Sequence, residues 1–224
     1  MVPSAPVRFL ASLSMFERFA YFTLFIFVGL FAGLEVSLVL LGAAIAFSVA
    51  AYVQYFRDTY FGIVAPNRWT WLIWSVATTV EALTYQAVSD DWIKSAVFFI
   101  ASFSCIGIML LIWSKARWEN PKWTEVVCVI ASGVALLLWL QFQFSLWAHL
   151  LMVLSVPIAF IPTWKSALQD PSNERSFAWA LWSLGDLLTL FVILTRLSGA
   201  EELPFILVEF VSHVVVWRMV RAKW

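Results

Sequence analysis

Carboxylates and imidazoles set inside long apolar runs are the residues of this chain with the most chemical capacity. Glu81 lies within the apolar segment 69–88, Asp186 within 177–196, and Glu209 with His213 within 203–221. An ionisable group in hydrocarbon is costly, so it faces an interior, pairs with a partner, or lines a path for solute or protons. Glu209 and His213 are four residues apart, which puts them on one helical face at the spacing of a hydrogen-bonded couple. Counting 1.5 Å per residue from Leu203, the two sit roughly 9 and 15 Å along their segment, and Asp186 roughly 14 Å along its own.

The acids have company at helical spacing. Trp71, Trp74, Thr78, Glu81 and Tyr85 recur at steps of three and four, and Trp179, Trp182, Asp186 and Thr189 repeat the steps with Thr and acid exchanged. Each set occupies one helix face. Two such stripes facing each other line one central cavity that binds a small polar solute; packed against lipid or core, they are helix glue. The expected solute-binding set is therefore Trp71, Trp74, Thr78, Glu81, Trp179, Trp182, Asp186, Thr189, Glu209 and His213.

Other chemistry is not encoded at any recognisable spacing. There is no Ser-His-Asp order, glycine-rich phosphate loop or His/Cys cluster, so neither an enzyme nor a metal or other cofactor is expected. His149, beside Trp147, reads as an interfacial residue near a segment end. Cys105 and Cys128 fall inside apolar runs and read as small packing residues, not as a disulfide framework.

The elements that hold these residues follow from composition. The chain is 62% hydrophobic and 12% charged, with a mean hydropathy of +0.88, which excludes a soluble globular domain. A helix needs ~20 mainly apolar residues to cross the hydrocarbon core. Eight runs qualify: 16–34, 35–57, 69–88, 92–114, 124–142, 145–165, 177–196 and 203–221. They are continuously apolar rather than alternating, which excludes a membrane barrel. The expected fold is an all-α integral membrane bundle of eight transmembrane helices. Its first run is read as a retained helix, because Glu17 and Arg18 interrupt the stretch and no small-residue cleavage site follows.

Charge orients the bundle. With eight spans, one side carries Arg8, Arg18, Arg57, Arg68, Lys115, Arg117, Lys122, Lys165, Arg175, Arg218, Arg221 and Lys223, and the other only Lys94 and Arg196. Twelve basic residues against two place both termini in the cytoplasm. Lys94 and Arg196 are expected to snorkel to the outer interface. The basic residues serve anionic lipid headgroups, so the lipid bilayer is a partner and nucleic acid is not.

A repeat organises the spans. Arg57–Ser75 (RDTYFGIVAPNRWTWLIWS) and Lys165–Ser183 (KSALQDPSNERSFAWALWS) lie 108 positions apart and align without a gap, Trp71 on Trp179, Trp74 on Trp182 and Ser75 on Ser183. Each leaves one apolar run and enters the next Trp-first. The expected division is an N-terminal helix (1–34), a first three-helix repeat (35–114), a linker helix (115–144) and a second three-helix repeat (145–224). One span between the triplets makes them run parallel, a 3+1+3 plan.

That plan, with loops after the first helix of each triplet, resembles the SWEET sugar transporters and the wider PQ-loop proteins. It is also similar to bacterial membrane proteins of unassigned role with an RDT…PNR-TWLIW run like Arg57–Trp74. The resemblance covers about 35–221. It implies a bacterial inner-membrane transporter or facilitator of a small polar solute; the acids inside the spans, Asp186 or Glu81, are where proton coupling would be carried. The chain departs from the pattern: Pro162-Thr163 keeps the signature Pro, the matching first-unit position is Gln54 without Pro, and the third-helix Asn of the SWEETs is missing. Sugar specificity is not carried over. A ligand receptor on a PQ-loop-type fold, a homo-oligomer, and an accessory subunit of a larger membrane complex docked through Phe19, Phe22 and Phe27 stay open.

The topology is directly testable. Single cysteines at Asn120 and Ser172 should resist an impermeant thiol reagent in intact cells, and one at Ser89 should label; labelling of Asn120 from outside would invert the bundle.

Overall fold

The computed structural model describes residues 35–64, 66, 68–115, 120–171 and 174–221. These form seven α-helices: α1 Val36–Tyr60, α2 Arg68–Ser89, α3 Trp92–Lys115, α4 Trp123–Phe142, α5 Ser145–Gln169, α6 Ser176–Thr195 and α7 Leu203–Arg221. A 3-10 turn, Ala200–Glu202, leads into α7. No strand occurs among the described residues. The helices match seven of the expected spans to within four residues at either end. The eighth, 16–34 with its aromatic face, lies outside the described residues.

Six helices are long and apolar enough to cross a membrane, all but α2. The exception has a physical reason. α2 carries Glu81 and a series of hydroxyls, and α3, α4 and α5 all pack against it. A helix enclosed by protein does not have to be apolar all round. Its hydroxyls are satisfied locally: Ser75 Oγ donates to Trp71 O at 2.7 Å and Thr78 Oγ1 to Trp74 O at 2.6 Å. On α6, Ser183 Oγ donates to Trp179 O at 2.8 Å and Thr189 Oγ1 to Gly185 O at 2.9 Å. Such back-bonds to the fourth carbonyl upstream let small polar side chains live where water is absent.

Helix ends follow turn chemistry. α1 stops at Gly62, whose φ of 68° is the left-handed conformation that glycine adopts without a Cβ penalty. Asp91 starts α3: its Oδ1 accepts the backbone N–H of Ile93 at 2.8 Å and of Lys94 at 3.4 Å, an N-cap. Gln143 closes α4 at φ 56°, its N–H returning to Trp139 O. Pro157 and Pro162 both lie within a continuous α5.

The helices pack as a ring. In order round it, α1 touches α3, α3 touches α2, α2 touches α5, α5 touches α7, α7 touches α6, and α6 returns to α1. α4 sits outside, against α2 and α5. The α1–α6 seam is tight because Gly185 has no side chain: a Cβ built there would fall 2.7 Å from Ser48 Oγ and 3.5 Å from Ala44 O. Small residues at such seams let backbones approach.

One end of the ring is drawn shut by charge. Lys94 Nζ lies 2.7 Å from Glu202 Oε2, both 1% exposed, and also donates to Arg196 O at 3.1 Å and Ser198 Oγ at 3.2 Å. Arg196 Nε donates to Asp91 Oδ2 at 2.7 Å, and its Nη1 reaches Glu35 and Ser37. The expectation that Lys94 snorkels outward is thereby corrected; Arg196 stays a quarter exposed at its helix end. A carboxylate within reach inside the protein competes with water, and Lys94 takes it.

Gly185→Leu should split the α1–α6 seam, costing about 1–3 kcal/mol or more through overpacking. The expected readout is a lower melting temperature in detergent and a broadened size-exclusion peak, whereas Gly185→Ala should be milder because the Ser48 hydroxyl can turn away.

Candidate functional site

Between the halves of the ring, at the end opposite Lys94, opens a vestibule of about 220 Å³. Trp71 and Trp74 from α2 and Trp179 and Trp182 from α6 line it, with Tyr52 and Tyr55 from α1 and Thr163 and Lys165 from α5. All four tryptophans are buried, and the aromatic groups form one layer. Ring centroids lie 4.9 Å apart for Trp179–Trp182, 6.1 Å for Trp71–Trp74 and 4.9 Å for Tyr55–Trp71. These are contact distances for edge and tilted aromatic packing.

Neighbour relations recur at the spacing of the sequence repeat. Tyr52 stacks edge-on to Trp182 at 5.1 Å, and 108 positions away Phe160 does the same to Trp74 at 4.4 Å. Tyr52 also contacts Cys105 through its hydroxyl at 3.6 Å, and Phe160 meets His213, the residue 108 beyond Cys105, at 5.3 Å. Trp71 with Trp179, Trp74 with Trp182, Tyr55 with Thr163, and Pro66 with Glu174 are further such pairs, and all of them line the vestibule. Lys94 and Glu202 are also 108 apart, and they meet each other.

Behind the tryptophans lies a second, smaller chamber of about 40 Å³, reached by Glu81, Asp186, Glu209, His213 and Thr78. That is room for water, which needs ~10–15 Å³ of such space. Trp74, Trp182 and Tyr52 line both spaces and so form the partition. The single cavity expected from the two stripes is corrected to two: bulky rings meet across the middle and divide it. Thr189 reaches neither, being buried with its hydroxyl on Gly185 O.

The chamber acids are paired with histidines. His213 Nδ1 lies 2.6 Å from Asp186 Oδ2, and its Nε2 lies 3.6 Å from Glu209 Oε2. Glu209 and His213 share one face as expected, but at 3.6 Å they make no hydrogen bond; Asp186 is the bonded partner. His149 Nδ1 lies 2.9 Å from Glu81 Oε1, with the two side chains 0% and 1% exposed. Its Nε2 faces Glu201 O at 3.0 Å. A carbonyl only accepts, so Nε2 carries a hydrogen, and the Nδ1–Oε1 contact is attractive only with a further proton between the two. The reading of His149 as interfacial is overturned: α5 turns it inward onto α2, where it matches an acid that has no other base. No linear spacing signals that pairing.

Asp186, Glu209 and His213 each offer an atom within 4.8 Å of the others. The 2.6 Å Asp186–His213 contact is a hydrogen-bond distance, shorter than the separation of two ligands that share an ion at ~2.0–2.2 Å.

Glu174, in the α5–α6 connection, was not among the expected residues although it lies in the repeated stretch. It is buried, and it accepts Trp179 Nε1–H at 3.0 Å and the Tyr55 hydroxyl at 3.3 Å. It therefore ties the α5–α6 loop to α1 across the vestibule. Burial pushes its carboxyl up to about 7, opposed by the two donated hydrogen bonds.

All-helical architecture with six apolar spans defines an integral membrane protein, built round a polar, aromatic-lined interior. No family model, curated protein or solved structure matches the chain.

Glu174 yields a pH signature. A carboxyl raised from 4.5 to about 7 on folding binds more protons folded than unfolded in that window, so stability falls as pH rises through it, by about 3 kcal/mol at most. Glu174→Gln should flatten the melting temperature between pH 5 and pH 8 and raise it at the upper end, measured by thermal unfolding in buffered detergent; an unchanged slope would place the titration elsewhere.

Proposed function

We propose that the protein moves a small polar solute across the membrane by alternately opening the two ends of the space between two like halves. The halves are the triplets α1–α3 and α5–α7, joined by α4 in a 3+1+3 parallel duplication, with the first span as an eighth helix. The observation that carries this reading is the vestibule: open at one end, floored by tryptophans from both halves, and shut at the other end by Lys94–Glu202. A closed end held by a few side-chain contacts, facing an open end across a polar midpoint, is what alternating access requires of one of its states.

The duplication draws support from packing order. Within each triplet the third helix lies between the first and the second, and between triplets the first helix of one meets the second of the other, α1 with α6 and α5 with α2. Exchanging the halves leaves that pattern unchanged. The SWEET and PQ-loop resemblance rests on this same plan. By the loop charges, the open vestibule faces the cytoplasm.

The midpoint acids supply a means of coupling to protons, because Asp186 and His213 share a short contact at the chamber wall. Asp186→Asn keeps an acceptor for His213 while removing the ionisable group. In proteoliposomes screened against small polar solutes, wild-type uptake should vary with pH and the variant should lose that variation while eluting as a folded particle. An unchanged pH profile would overturn proton coupling. A solute that binds the purified protein yet never crosses would favour the receptor reading.

A further inference from the structure

The chamber holds one carboxylate more than it has bases. The titratable groups gathered round it are Tyr52 on α1, Glu81 on α2, Cys105 on α3, His149 on α5, Asp186 on α6, and Glu209 and His213 on α7. Lys94 on α3 is engaged with Glu202 at the closed end. With both histidines charged, three carboxylates against two imidazolium ions still leave one negative charge. An uncompensated charge shut away from bulk solvent is disfavoured, so such a chamber favours a cation, and when empty that cation is a proton.

The way in is lined for the same sign. A visitor from the vestibule meets Trp71, Trp74, Trp179 and Trp182, and aromatic rings attract cations over their faces. Glu174 beside them is a buried carboxyl whose hydrogen bonds come from neutral donors, Tyr55 and Trp179. His213 at the far side already sits among these rings, stacked on Trp182, with Trp74, Phe160, Trp179 and Trp182 centred between 5.3 and 6.1 Å from it. Lys122 and Lys165 line the vestibule as well, but both are exposed to solvent. Finally, Nε1 of Trp74 and of Trp182 are buried with no acceptor among the described residues. Two idle donors at the partition ask for a ligand oxygen.

We propose that the solute is a small organic ammonium ion bearing an oxygen acceptor, and that its charge replaces the proton held by the Asp186–His213–Glu209 cluster. The exchange balances: a carboxylic O–H at the cluster gives up its proton to vestibule water, the ammonium ion enters, and the net charge of the interior is unchanged. This inference rests on the transport reading for its cavity, but it is tested by binding alone.

The probe is choline, with dimethylbutanol as its uncharged isostere, added to the purified full chain in detergent. Choline should raise the melting temperature, and calorimetry in two buffers of different ionisation enthalpy should show release of about one proton per choline bound, with affinity weakening up to about tenfold per pH unit on acidification. Dimethylbutanol should bind at least about tenfold more weakly, since only the charge is missing. Glu209→Gln removes the excess carboxylate, and Asp186→Asn does the same from the neighbouring helix should the first variant not fold. Either should keep the elution profile and lose proton release. Equal binding of dimethylbutanol, proton release unchanged in both variants, or a response to manganese chloride but not to choline would overturn the inference. Choline that binds as expected but does not cross liposomes would overturn the transport reading alone.

Discussion

Pairing buried charges across different elements is the constraint on which this bundle depends. Lys94 with Glu202, Glu81 with His149, and Asp186 with His213 each join two different elements. In the first, two charges are taken out of water entirely, which is tolerable only because the Lys94 ammonium is further satisfied by Ser198 and the Arg196 carbonyl. Removing one partner from such a pair strands a charge, so these contacts set which helix faces turn inward. α2, too polar to pass as a spanning helix on composition, is held in place by such pairing and by the helices that surround it.

The second organising feature is the aromatic partition. Four tryptophans and Tyr52 occupy the level where an apolar protein would place leucines. They separate the acid–histidine chamber from the larger vestibule. A stack of large rings fills volume at little rotamer cost and still offers polar edges. The edges of Trp74 and Trp182 carry unused donors, while that of Trp179 is taken by Glu174. Trp179 is latched to a loop acid, while the residue 108 positions before Glu174 is Pro66. At the same 108-residue spacing, Asp186 stands against Thr78 and Thr189 against Glu81.

Much of the architecture was legible in the chain. Continuous apolar runs of about 20 residues admit one solution in a bilayer, since only helices satisfy their own backbone without water. The seven described helices accordingly begin and end close to the expected residues. The Trp stripes were legible for a similar reason: steps of three and four put side chains on one face whatever surrounds the helix. The i, i+4 Glu209–His213 couple was legible because both members lie on one element.

What a single helix does not contain is its rotation against its neighbours, and that decided the rest. His149 was read as interfacial from its place near a segment end, but α5 is turned so that its ring meets Glu81 and is fully buried. Lys94 carried the composition of a snorkelling residue, and the approach of the α6–α7 connection gave it a carboxylate and a carbonyl instead. Asp186 became the closer partner of His213 only when α6 packed on α7. Glu174 acquired its raised pKa from burial between two aromatic donors on different helices. Local periodicity determined the elements and their faces, because those depend on backbone geometry and the bilayer alone. Pairing and the division of the interior into two spaces depend on distances between elements, and packing alone sets those.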